Sequence, residues 1–191
     1  GILSDRFLAS QCVQLDAREL ELLARHDVRV SHMPLANCEV GGGIAPVPEL
    51  IAAGVEVGLG SDGYLNDMFQ VMRGAFLIHK GRLQDPQTMP ARTVLALATA
   101  GGARALGLGS SLGVLAPGRA ADLQLVDLSL PTTVSAHNLC DQLVLWRSGD
   151  DVTDVMVGGR WRVRGGELLG IDLDRLRARV REQAVRLWTT G

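Results

Sequence analysis

Two apolar textures alternate along the first part of the chain. Short apolar runs that stop at a glycine or a polar residue are followed by stretches whose apolar residues recur every three or four positions. Phe7 to Leu15 is the first short run. After it, A-R-E-L-E-L-L-A-R-H reads as a helix with Leu20, Leu23 and Ala24 inward, Asp16 at its N-cap and Glu19 completing a capping-box spacing. Val28 to Ser31 reads as a second strand ending in S-H-M-P, followed by a glycine-rich loop from Asn37 to Ala45. Pro48 and Gly54 then bracket a short helix in the expected order. Val55 to Gly60 is a third strand, and Met68, Phe69, Val71, Met72, Ala75 and Phe76 open a helix running to about Lys80. Strand followed by helix, repeated with short loops, predicts a parallel sheet covered by helices.

A polar connector from Gly81 to Pro90 leads into one more helix, P-A-R-T-V-L-A-L-A-T-A-G-G-A-R-A-L-G-L, which Gly101 and Gly102 should weaken or kink. Past Gly113 the pattern becomes period two. Asp122 to Asp127 reads as a strand, and Val152 to Val157 with Arg160 to Val163 as a hairpin turning at Gly158-Gly159. Asp172 to Trp188 reads as an amphipathic helix with Leu173, Leu176, Val180, Ala184 and Leu187 on one side. The expected division is 1–111 for the βα units, 112–170 for an antiparallel β unit and 171–191 for the terminal helix.

Composition adds exclusions. A chain of 191 residues with 47% hydrophobic and 21% charged residues suits one core with a small appendage. A net charge of −2, with scattered arginines and a single lysine, Lys80, gives no reason to expect a nucleic-acid or membrane partner. No apolar run approaches the ~20 residues a bilayer span needs. Cys12, Cys38 and Cys140 are odd in number and far apart, which suits free thiols. With no charged-then-apolar leader before Phe7, the expected location is cytoplasmic.

Three successive strand ends carry polar residues: Gln11, His32 and Asp62. In parallel α/β folds, side chains at neighbouring C-terminal strand ends converge over one mouth, where a histidine and a carboxylate suit a metal site or an acid–base pair. Bland readings stand beside this. Asp62, in G-L-G-S-D-G-Y-L-N-D, could equally cap the following helix. A lone histidine is commonly a satisfied loop residue. His26, His79 and His137 read as ordinary helix or surface residues. Neither Gly41–Gly43 nor Gly101–Gly102 opens a helix directly after a strand, as a nucleotide-binding turn would.

The run S-H-M-P-L-A-N-C-E-V-G-G-G-I-A-P-V-P-E-L-I-A-A-G-V-E-V-G-L-G-S-D-G resembles metal-dependent amidohydrolases of the aminohydrolase and triazine-hydrolase branch, which includes chlorohydrolases and guanine-deaminase-like enzymes. Further matches follow in order: A-L-A-T-A-G-G-A-R-A-L-G-L, L-G-V-L-A-P-G-R-A-A-D-L-Q-L-V-D and V-M-V-G-G-R-W-R-V-R-G-G-E. The resemblance implies an α/β fold: the last three βα units of a (β/α)8 TIM-like barrel, part of a small β-sandwich domain and a terminal helix. It implies that Asp62 is a metal ligand on the eighth strand and takes a proton from metal-bound water. His32, the second catalytic residue implied beside Asp62, would lie near the substrate on the seventh strand, with Asn37 and Gln11 binding the substrate. The implied cofactor is a divalent metal, zinc or alternatively iron. The implied reaction is deamination of a purine, pterin or triazine-like ring.

Two departures qualify the resemblance. Gln11, in A-S-Q-C, stands where the family usually has the histidine of an alanine-histidine-cysteine motif. The paired histidines of the first strand and the histidine and glutamate of the fifth have no counterpart here. One good ligand is too few for a catalytic zinc, which wants three. Three strands of a barrel also leave open edges. The expected partners are therefore the missing N-terminal half of the barrel, a small heterocyclic substrate and further copies of the protein. A catalytically inactive relative, or a hydrolase expelling chloride or opening a cyclic amide, remains the alternative.

Overall fold

The structure, a computed structural model, describes residues 1–189; the last two positions of the segment assigned to the terminal helix, 190 and 191, lie outside the described residues. Strands β1 (Leu8–Ser10), β2 (Arg29–His32) and β3 (Val57–Leu59) form a parallel sheet in the order β1-β2-β3. Ser10 lies opposite Ser31, Ser31 opposite Gly58 and His32 opposite Leu59. Each strand end is thus brought level with its neighbour. Helix α1 (Ala17–Arg25) starts on the expected capping box: Glu19 N–H donates to Asp16 Oδ1 at 2.8 Å, and Asp16 N–H to Glu19 Oε2 at 2.9 Å. Leu23, Val28, Val30, Val47, Leu50 and Val57 bury together the apolar positions that the sequence pattern marks out.

Several local expectations are corrected. Asn37 sits not in a loop but on helix α2 (Pro34–Glu39), which Pro34 starts from a first-turn position where its missing N–H is harmless. After α3 (Val47–Ala52) and β3, helix α4 (Met68–Leu83) is capped by Asp67, whose side chain accepts from Phe69 N–H at 2.9 Å. Asp62 is therefore not the cap. The Gly101-Gly102 helix does lose regularity: α5 (Ala91–Ala96) passes through a π turn at Leu97–Gly101 into α6 (Gly102–Ala105). A Cβ on Gly101 would stand 2.7 Å from the Val57 carbonyl, so only glycine allows that approach to β3. Helix α7 (Leu139–Trp146), which no clean apolar period marks in the sequence, contacts α4 and α5. Arg73 Nε donates to Leu145 O at 3.0 Å and Arg73 Nη2 to Arg147 O at 2.8 Å.

A second sheet is antiparallel, in the order β4 (Leu123–Val126), β5 (Val152–Val157), β6 (Arg160–Arg164) and β7 (Glu167–Leu168). Gly158 and Gly159, at φ 57° and 74°, make the hairpin turn between β5 and β6. Helix α8 (Leu173–Thr189) follows, exposed along its length. The chain divides into two compact units, residues 1–120 with 128–151 and residues 121–127 with 152–191. The polypeptide thus crosses between these units more than once. Among the described residues, no helix is long and apolar enough to cross a membrane.

Candidate functional site

The end of β2 holds its neighbours on both sides. Gln11 N–H donates to Ser31 O at 2.9 Å, and Gly60 N–H donates to His32 O at 2.8 Å. Beyond those bonds the flanking chains turn sharply. Gln11, Cys12 and Asp62 all adopt left-handed backbone, at φ 68°, 51° and 53°. For non-glycine residues this costs about 1 kcal/mol or more each, and such strain gathers at functional sites. Gly60 keeps the space beside Ser31 open, since a Cβ there would lie 2.7 Å from Ser31 Oγ and the serine side chain would have to shift.

These turns bring two residues together from 51 positions apart: Gln11 Nε2 donates to Asp62 Oδ2 at 2.8 Å. Both line a cleft of about 480 Å³ with Ala36, Asn37, Glu39 and Tyr64. Asn37 is only 2% exposed, and its Nδ2 is buried without a hydrogen-bond partner. An unmet buried donor costs roughly 1–3 kcal/mol. Tyr64, 47% exposed, offers the cleft an aromatic surface. The site thus presents two carboxylates, Asp62 and Glu39, two carboxamides and a ring, groups that can hold a flat polar ligand by hydrogen bonds and stacking.

His32 is placed elsewhere. It is the last residue of β2, on the strand's buried side with Val30, and does not line the cleft. Its Nε2 lies 3.1 Å from Nε2 of His79 on α4, with ring centroids 5.0 Å apart. Both residues are 0% exposed. Burial, and then the His79 charge, push His32 down to about 3; burial, and then Arg82, push His79 down to about 4. Both rings are neutral at ordinary pH. His79 reads as an ordinary helical residue in the sequence, and only the helical period placing it with Phe69, Met72 and Ala75 hints at burial.

Among the described residues, no three of histidine, cysteine, aspartate and glutamate converge in a way that could hold a metal ion. Asp62 can fill one coordination position, with one oxygen already accepting from Gln11. A catalytic zinc takes three protein ligands, so this chain's residues do not by themselves fit the ion.

Comparison with known proteins places the chain in a family. A family profile described as the amidohydrolase family matches residues 1–162. A 5-methylthioadenosine/S-adenosylhomocysteine deaminase of Syntrophobacter fumaroxidans is 43% identical over 185 residues, covering 95% of this chain and 42% of that protein. An S-triazine hydrolase of Gordonia rubripertincta is 38% identical over 163 residues, covering 83% of this chain and 34% of that protein. Among solved structures, an adenosine deaminase from Xanthomonas campestris with bound zinc superposes with a TM-score of 0.93 at 35% identity, covering 99% of this chain and 44% of that one. The chain spans less than half the length of these relatives. On the profile match and these identities, the chain belongs to the amidohydrolase family.

Proposed function

We propose that this chain forms the C-terminal part of a hydrolase that removes an amino group from a nitrogen heterocycle, releasing ammonia. The observation that carries this is the cleft at the ends of three adjacent parallel strands, where Asp62, Gln11 and Asn37 meet. Strands β1 to β3 would be consecutive strands of a (β/α)8 barrel whose remaining strands lie outside this chain. The deaminase relatives favour an adenosine-type nucleoside as substrate, with a triazine-like ring second.

Asp62 would supply one ligand to a divalent ion, zinc or iron, whose other ligands come from polypeptide outside this chain. Such an ion, when bound, supplies water acidified to near neutrality. The chain's own residues have three tasks. Asp62 offers its second carboxylate oxygen as a proton acceptor over the cleft. Gln11 fixes that carboxylate through the 2.8 Å contact and leaves its own carbonyl oxygen for a substrate N–H. Asn37 Nδ2, the unmet donor, is suited to a ring nitrogen or carbonyl of the substrate. No direct part in the chemistry is proposed for His32, because its ring lies against His79. A soluble, cytoplasmic homo-oligomer is the proposed setting.

The test is ammonia release by the full-length protein from adenosine, 5-methylthioadenosine and an aminotriazine, together with its metal content. Turnover of at least one with bound metal is expected; an intact, metal-loaded protein that releases no ammonia would overturn the reading. One observation favours an inactive relative instead, namely that Gln11 cannot carry protons as an imidazole does. In that case Gln11→His should raise the rate, whereas in an active enzyme it should lower it.

A further inference from the structure

The buried histidine pair is not used by the chemistry above, yet it sits at the end of β2, the strand whose backbone holds the chains that carry Gln11 and Asp62. Two facing Nε2 atoms 3.1 Å apart require one ring to donate and the other to accept. One histidine must therefore be the Nε2–H tautomer and the other the Nδ1–H tautomer. Neither Nδ1 has a partner, so the shared contact is the one hydrogen bond either ring makes. At 0% exposure no water can replace it. Breaking it leaves unmet polar atoms in the core, which fixes the His32 ring relative to α4.

His32 transmits that constraint. Its own carbonyl accepts from Gly60 N–H at 2.8 Å, two residues before Asp62. The preceding carbonyl, of Ser31, accepts from Gln11 N–H at 2.9 Å. The next residues, Met33 and Pro34, start the helix that carries Asn37. Gln11, Asp62 and Asn37 are thus all tied to the end of β2. Across from the pair, Arg82 on α4 and Glu49 on α3 are joined at 2.6 Å, which holds α4 against α3. We propose that His79 is a positioning residue: through its hydrogen bond to His32 it fixes the end of β2, and so sets the Gln11–Asp62 contact and the placement of Asn37. The consequence for turnover rests on the proposed function; the geometric part does not.

The experiment uses the full-length protein and two readouts. Ring nitrogen NMR should show one Nε2–H and one Nδ1–H histidine that keep their tautomers from pH 8 to 6. The Gln11 side-chain amide resonance should shift in His79→Leu and return towards the native position in His79→Gln, whose carboxamide can still bond to His32. In turnover, His79→Leu should lower kcat by up to about 10²-fold with a smaller change in KM, as for a misplaced catalytic group, and His79→Gln should recover most of it. If His79→Leu does not fold, His79→Asn, too short to reach His32, takes its place. A folded His79→Leu or His79→Asn with an unmoved Gln11 resonance would overturn the proposal, as would two histidines that titrate near pH 6.5. Should the protein release no ammonia, the NMR readouts still decide the positioning role and only the proposed reaction falls.

Discussion

The cleft and the buried histidine layer each rest on one side-chain hydrogen bond between residues distant in sequence. Gln11 meets Asp62 at 2.8 Å and His32 meets His79 at 3.1 Å. Their surroundings differ. Gln11 and Asp62 lie at an open cleft, where water can take either partner's place, so the contact adds little net stability. The histidines are sealed, and an unmade bond there costs the full desolvation of both groups. On the proposed reading, the weak contact is the one a ligand would replace, while the strong one would keep the strand end fixed as that happens. Chemistry and rigidity would then be allotted to different parts of the same strand end.

Stability measurements on the full-length protein can break or sharpen this contrast. The largest effect is expected from His79→Ala, which removes a buried ring and orphans His32; unfolding in denaturant should show a loss of about 3 kcal/mol. A loss below the level of a surface substitution would mean that the layer is not sealed. Asp67→Ala should cost about 1 kcal/mol, because Asp67 caps α4 and also accepts from Gly149 N–H at 3.2 Å.

Acid gives a graded test of the same layer. The folded-state values of about 3 and about 4 lie below the ordinary 6.5, so the unfolded chain takes up these protons first. The pair's contribution is intact above pH 6.5 and is lost as pH falls from there through about 4 towards about 3. The Tm should drop across that window, and His79→Gln, with one titrating ring fewer, should show a shallower drop. The smallest effect belongs to Gln11→Ala, expected to change stability by less than about 0.5 kcal/mol. A loss comparable to that of His79→Ala would erase the distinction between the two regions.

Much of this arrangement could be read from the sequence because its signals are local. The Asp16–Glu19 capping box, the glycine-ended strands and the Gly158-Gly159 hairpin each lie within a few residues and need no tertiary context. The parallel order followed from strands separated by helices. What escaped was non-local or locally contradicted. His32 and His79 are 47 residues apart, and no spacing rule links a strand end to the fourth turn of a distant helix. Asn37 was hidden by the glycines that follow it, although Pro34 marks a helix start. Asp62 and Asp67 both precede α4, and choosing between them required the Asp67–Phe69 bond. Helix α7 lies in a stretch whose apolar residues match no clean period, and its place is set by packing on α4 and α5.

The central claim is that Asp62 is the reacting carboxylate rather than a structural one. Asp62→Asn keeps the side chain's shape, and asparagine tolerates the left-handed backbone found there, so the fold should persist. The direct measurement is ammonia release by the full-length Asp62→Asn protein, with its unfolding midpoint measured alongside. The account predicts a fall in kcat of about 10²–10⁴-fold with the midpoint unchanged. Native turnover in the folded variant would contradict it.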